Sequence, residues 1–265
     1  MAETPANNAP TPVALSPTQH KGLKIKQLGS ADYLAKNHFT KVYAPEFTKA
    51  GTDYPIIFVR DPETQEFFAG GLWGLQQNEN LFVEDGRWTG GFFPAAVRCY
   101  PFAMSIDPQD ADRLYIGIYE DSPLISSDEG ELMFNDDGSE TPWMVEVKDF
   151  LVKVYNQEEL TRKFVKELDE MGLLIPQSLN VKTKEDAPEN AAVSGFFVVD
   201  KEKLQALPDE KIIEMKNNGA LEIIYAHLMS LGCLDKLLKK KNDRMIANGE
   251  VPAAQQQQQQ ETPVS

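Results

Sequence analysis

The stretch Tyr54-Pro-Ile-Ile-Phe-Val-Arg-Asp-Pro-Glu-Thr-Gln-Glu-Phe-Phe-Ala-Gly-Gly-Leu-Trp-Gly-Leu75 decides the fold class. Its first seven residues form a short apolar run rich in β-branched and aromatic side chains, which reads as a strand. Asp61-Pro62 forces a turn, and the apolar run resumes at Glu66. Two such runs joined by a short turn predict antiparallel pairing. Gly70, Gly71 and Gly74 in the second run mark a bulge or a close backbone approach.

The same reading extends outward. Residues 81–83 and Arg87-Trp88 flank Glu84-Asp85-Gly86, a turn with glycine available for positive φ. Residues 103–106 and 114–119 predict a further strand pair, joined through an acidic loop around 107–112. Asn135-Asp-Asp-Gly138 predicts another turn.

The second half changes period. Thr141-Pro142 supplies an N-cap residue followed by proline at the first helical position. Trp143, Val147, Phe150, Leu151, Val154, Leu160, Phe164, Leu168 and Met171 then make a broken helical stripe that Gly172 ends. A polar loop is expected over 182–190, a buried strand over 194–200, a helix from near Pro208, and a last helix over 220–241 with Gly219 as the break before it. The expected class is α+β, mainly antiparallel sheet from the N-terminal half packed with helices from the C-terminal half. One such domain is expected over 15–241, between a disordered tail at 1–14 and a Gln-rich disordered tail at 248–265.

A chain of 265 residues buries roughly 70–75% of its unfolded surface. The balance of 26 Lys+Arg against 41 Asp+Glu gives −15. That charge repels nucleic acid and anionic lipid, whose binding requires phosphate neutralisation, so no nucleic-acid partner is expected. No apolar run is long enough for a membrane span. Residues 1–17 lack the basic and apolar regions of a secretory signal, which makes the cytoplasm the expected compartment. Cys99 and Cys233, far apart and in no CxxC, read as two buried thiols in a reducing compartment, with one long-range disulfide as the alternative.

Familiar catalytic and cofactor motifs are missing from the sequence. The chain contains no GxG, no phosphate-binding GxxxxGK[ST], no GxSxG and no HExxH. His20, His38 and His227 stand apart from one another, and the acidic turns lack the first ligand of a calcium loop. No cofactor and no metal are expected.

Four features remain, of which Cys99 reads as a small buried thiol rather than a nucleophile, and His227 as a satisfied core histidine rather than a ligand. From Gly86 to Phe102 the chain is densest in Gly, aromatics and Arg. As a site, Trp88, Phe92 and Tyr100 would wall a pocket in which Arg87 and Arg98 anchor an anionic group. As structure, the same segment is a bulged crossover whose aromatics fill the core. Arg98 stands among apolar residues and calls for a buried carboxylate or a ligand. Glu120-Asp121 closes an apolar strand, where carboxylates serve as general acid or base, cap a turn, or pair with an Arg such as Arg98.

Leu15-Ser-Pro-Thr-Gln-His20, Asn80-Leu-Phe-Val83, Gly86-Arg-Trp88, Arg98-Cys-Tyr-Pro-Phe102, Glu120-Asp-Ser122, Gly195-Phe-Phe-Val-Val-Asp200 and Ile224-Tyr-Ala-His-Leu-Met-Ser230 follow one another in an order that resembles the SapC family. Arg98-Cys99 stands where the family's arginine pair is usual. The resemblance implies a bacterial, surface-layer-related protein and brings no catalytic residues with it. The expectation is therefore a soluble, non-enzymatic protein that binds a protein partner or small ligand, linked to surface-layer or cell-envelope function. Its binding residues would be Arg87, Trp88, Arg98, Tyr100, Glu120 and Asp121. An enzyme or enzyme accessory with a carboxylate/arginine pocket is one alternative. An S-layer component exported to the cell surface without a cleaved signal is the other.

Overall fold

The computed structural model describes residues 11–27, 29–107, 110–181 and 191–249. The expected polar loop at 182–190, the centre of the acidic loop at 108–109 and the Gln run lie outside the described residues. The class is α+β, with antiparallel sheets mostly in the N-terminal half and helices in the C-terminal half. Backbone proximity divides the body expected over 15–241 into two compact units. One comprises Met1–Gly29 and Ala95–Gln157, the other Ser30–Pro94 and Glu158–Ser265.

In the first unit, strand Phe102–Asp107 pairs with Asp110–Ile118, as the sequence predicts. A third strand, Val13–Ala14, adds to the free edge of Asp110–Ile118, so pairing starts two residues inside the expected tail. A second small sheet sets Lys24–Ile25 between Ile125–Ser126 and Glu131–Leu132. Ile25, Phe102, Ile118, Met133, Met144 and Leu151 close a common core.

The long helix Pro142–Glu170 begins and ends where its signals place it. Thr141 Oγ1 accepts the Met144 N–H at 3.2 Å, which satisfies a first-turn donor. At the other end the Leu173 N–H returns to the Leu168 carbonyl at 2.9 Å, around Gly172 at φ 64°.

The second unit is built on a five-stranded antiparallel sheet. Its order is Leu174–Val181, Ala191–Val199, Ile56–Arg60, Phe67–Leu72, Phe39–Lys41. Strand Leu174–Val181 is an element the sequence reading does not anticipate, because Pro176 interrupts its pattern. It lies at a sheet edge, where a residue without an N–H is tolerated. Gly70 serves a close approach rather than a bulge. A Cβ there would sit 2.2 Å from both the Phe39 ring and the Thr40 carbonyl. The hairpin Val83–Glu84/Arg87–Trp88 turns through Asp85 at φ 47° and Gly86 at φ 73°. Two positive φ values define the tight turn whose twist suits a hairpin.

The expected last helix over 220–241 is two helices, Ala220–Ser230 and Cys233–Ala247. The break follows from side-chain bonding at Ser230. Its hydroxyl donates to the His227 carbonyl at 2.6 Å and accepts the Ile56 N–H at 2.9 Å, so the helix end is tied to the sheet. His227, fully buried, completes the attachment. Its Nε2 accepts the Val199 N–H at 3.1 Å, and its Nδ1–H donates to the Ile56 carbonyl at 2.9 Å. Burial pushes its pKa down to about 4, only partly offset by the Ile56 carbonyl.

The final helix is held by its basic face. Lys241 Nζ bonds Glu79 Oε1, and also Gln76 Oε1 at 3.2 Å. The Arg244 guanidinium donates to the carbonyls of Asn80 at 2.8 Å and Val83 at 3.1 Å. Lys240 Nζ stands 5.2 Å from the Phe82 ring centroid.

Candidate functional site

The motif from Leu15 to His20 and the pair Glu120-Asp121 meet in the first unit. The His20 N–H returns to the Ser16 carbonyl at 2.9 Å, which curls the segment into a turn. Inside that turn the Ser16 N–H donates to His20 Nδ1 at 3.0 Å. The same Nδ1 lies 3.1 Å from the Ser16 carbonyl, so the backbone of Ser16 holds the ring at two points. Nε2 points to Glu120 Oε1 at 3.1 Å, and Gln19 Nε2 donates to the same oxygen at 2.6 Å. The His20 side chain is wholly buried, whereas that of Glu120 is 45% exposed. One carboxylate oxygen is thus fixed from below by two donors, and the group still reaches solvent.

The chain at Glu120 is itself a turn, with the Ser122 N–H on the Tyr119 carbonyl at 3.0 Å. Tyr119 stacks on Tyr100 at 6.0 Å between centroids and 26° between planes. Asp121 is exposed. Tyr100, Tyr119, Glu120 and Asp121 therefore form a surface of two carboxylates beside a pair of half-buried tyrosines.

Arg98 differs from expectation. It ends the short helix Ala95–Arg98 and is exposed, with its guanidinium 5.0 Å from the Phe150 ring centroid. It makes no ion pair among the described residues, so the Arg98–Glu120 and Arg98–Asp121 pairs are not formed there. A terminal position on so short a helix turns the long side chain outward, where an aromatic face suffices as a neighbour. Arg98→Ala is expected to change the unfolding free energy in urea by less than about 1 kcal/mol. A loss of about 3 kcal/mol or more would reveal a buried partner.

Arg87 and Trp88 belong to the second unit. Arg87 is exposed on the hairpin. Trp88 packs within an aromatic cluster, 4.7 Å from Trp73, 5.5 Å from Phe82 and 5.3 Å from Phe93 between centroids. Tyr54 joins through Trp73 at 5.9 Å. Trp88 thus fills space between rings. Phe92, expected as a pocket wall, is anchored by its backbone, whose N–H donates to Asp53 Oδ2 at 3.0 Å.

Other reactive groups are engaged or quenched. Both ring nitrogens of His227 bind backbone. Cys99 and Cys233 are not joined in a disulfide, and desolvation raises the pKa of Cys233, which keeps it protonated. Among the described residues, no group of three or more His, Cys, Asp or Glu side chains could hold a metal ion. No described helix is long and apolar enough to cross a membrane.

Sheets and helices arranged in this way, with an acidic and aromatic surface at the end of a strand, define an α+β protein with a candidate cation-accepting face. The chain belongs to the SapC family, whose model matches residues 15–237. No curated protein and no solved structure matches it.

Proposed function

We propose that the protein works by binding rather than catalysis. It holds a basic group of a protein partner or small ligand against Glu120 and Asp121, in service of surface-layer or cell-envelope function. The observation that carries this reading is the Glu120 carboxylate, fixed through one oxygen by Gln19 and buried His20 while it remains open to solvent. A carboxylate oriented in advance loses little side-chain freedom on binding. The stacked Tyr100–Tyr119 pair offers π faces that attract a cation. The overall charge of −15 raises the encounter rate with a basic partner.

The test is native mass spectrometry of wild-type and Glu120→Gln protein, each purified from the host. Glutamine keeps an oxygen for Gln19 and His20 but removes the charge. Loss of one charge-assisted hydrogen bond should weaken retention of the bound species by roughly 10- to 100-fold. Equal retention by both proteins, or a wild type that carries nothing, would overturn the proposal.

A further inference from the structure

The second unit carries a cleft that the Glu120 surface does not involve. Its volume is about 220 Å³, below the roughly 300–1,000 Å³ of sites that take drug-sized molecules. Strands Phe39–Lys41 and Phe67–Leu72, the residues that follow the first and the turn that precedes the second form part of its wall, and the second half of the long helix supplies the rest. The floor is apolar and buried, made of Val42, Phe67, Ala69 and Val165.

The rim carries both signs of charge. Lys41 and Arg162 are the cations; Asp61, Glu66 and Glu158 are the anions. Lys41 Nζ meets Glu158 Oε1 at 2.6 Å with side chains 51% and 40% exposed. The Arg162 guanidinium reaches Glu159 at 2.7 Å with side chains 54% and 33% exposed. Pairs this exposed contribute little to stability and exchange readily for a ligand's charges. The Asp61 carboxyl is held below its ordinary range chiefly by the Thr64 N–H and then the Glu63 N–H, with a smaller contribution from the Lys41 charge.

We propose that this cleft binds a small zwitterion with an apolar side chain, a free α-amino acid of about leucine's size. The ligand carboxylate takes Lys41, with Arg162 at hand, and the ammonium takes Glu158 and Asp61. The aliphatic side chain covers the floor of Val42, Phe67 and Val165. An apolar monoanion meets three carboxylates at the rim, and an apolar monocation meets two basic groups. A ligand with both charges takes over the Lys41–Glu158 pair without stranding either partner. This is a different site from the Glu120 surface, so either proposal can fail alone.

The test is an NMR titration of the labelled full chain with L-leucine, leucinamide and 4-methylvalerate, repeated with Lys41→Gln and Glu158→Gln. Saturable shifts at Ala69, Thr161 and Val165 with L-leucine are expected. Each single-charge analogue and each variant should bind roughly 10-fold more weakly, the loss of one charge-assisted contact. Both variants replace exposed side chains, and unchanged signals away from the cleft verify their fold. Glu120→Gln should bind L-leucine as the wild type does. No saturable shift up to concentrations on the order of 10 mM, an analogue as tight as L-leucine, or no loss in either variant would overturn the proposal.

Discussion

Replacing His227 with alanine is expected to lower the unfolding free energy by about 3–5 kcal/mol, the cost of a buried large-to-small change that also strands polar partners. The imidazole bonds both the Val199 N–H and the Ile56 carbonyl. Those groups lie on neighbouring strands of the sheet, so one residue ties helix Ala220–Ser230 to two strands at once. It also packs 4.8 Å from the Phe58 ring centroid.

The same residue sets an acid sensitivity. Its pKa in the folded protein is about 4, against 6.5 ordinarily. Above pH 6.5 neither state binds the proton, and the contribution is fully present. As pH falls from 6.5 toward 4 the unfolded chain takes up a proton that the folded one refuses, and stability declines. Below about 4 both states are protonated and the decline levels off. A shift of that size corresponds to about 3 kcal/mol across the window. Urea denaturation at several pH values should show this slope in the wild type and a reduced one in His227→Ala. Parallel slopes would refute the assignment.

The second large effect is expected at Glu79. Glu79 and Lys241 face each other with side chains only 12% and 11% exposed. The carboxylate also accepts the Leu75 N–H through its other oxygen at 3.0 Å. Glu79→Ala leaves the Lys241 ammonium with Gln76 alone and should cost about 3–5 kcal/mol. The double variant Glu79→Leu, Lys241→Met should recover most of that loss, because desolvation of the two charges disappears together. A single variant within about 1 kcal/mol of wild type would show that water reaches the pair. The family match ends at 237, so this pair joins a residue inside the matched region to one beyond it.

Much of this architecture is legible locally. The Asp85-Gly86 turn, the Thr141-Pro142 start and the Gly172 stop each act within four residues, through backbone sterics or a single cap. What escapes is what distance decides. Strand Leu174–Val181 contains a proline that demotes it by local rules, and only its place at a sheet edge makes it tolerable. The break after Ser230 arises from a hydroxyl that bonds a strand 174 residues away. His20 reads as isolated because its carboxylate partner lies 100 residues downstream. Tyr100, Glu120 and Asp121 can be singled out from composition and position, but their supports Gln19, His20 and Tyr119 cannot. Arg98 stands among apolar neighbours in sequence, yet which way a side chain leaves a four-residue helix is not a sequence property.

The two outer strands of the five-stranded sheet share a property with a colloidal consequence. Phe39–Lys41 offers three residues, and Leu174–Val181 carries exposed Pro176 and a register shift between Gln177 and Leu179. A strand from another molecule would find too short a template on one side. On the other it would meet a missing donor and an irregular ladder. Such a sheet is poorly suited to growth by strand addition, and the unit resists templated, amyloid-type association at high concentration.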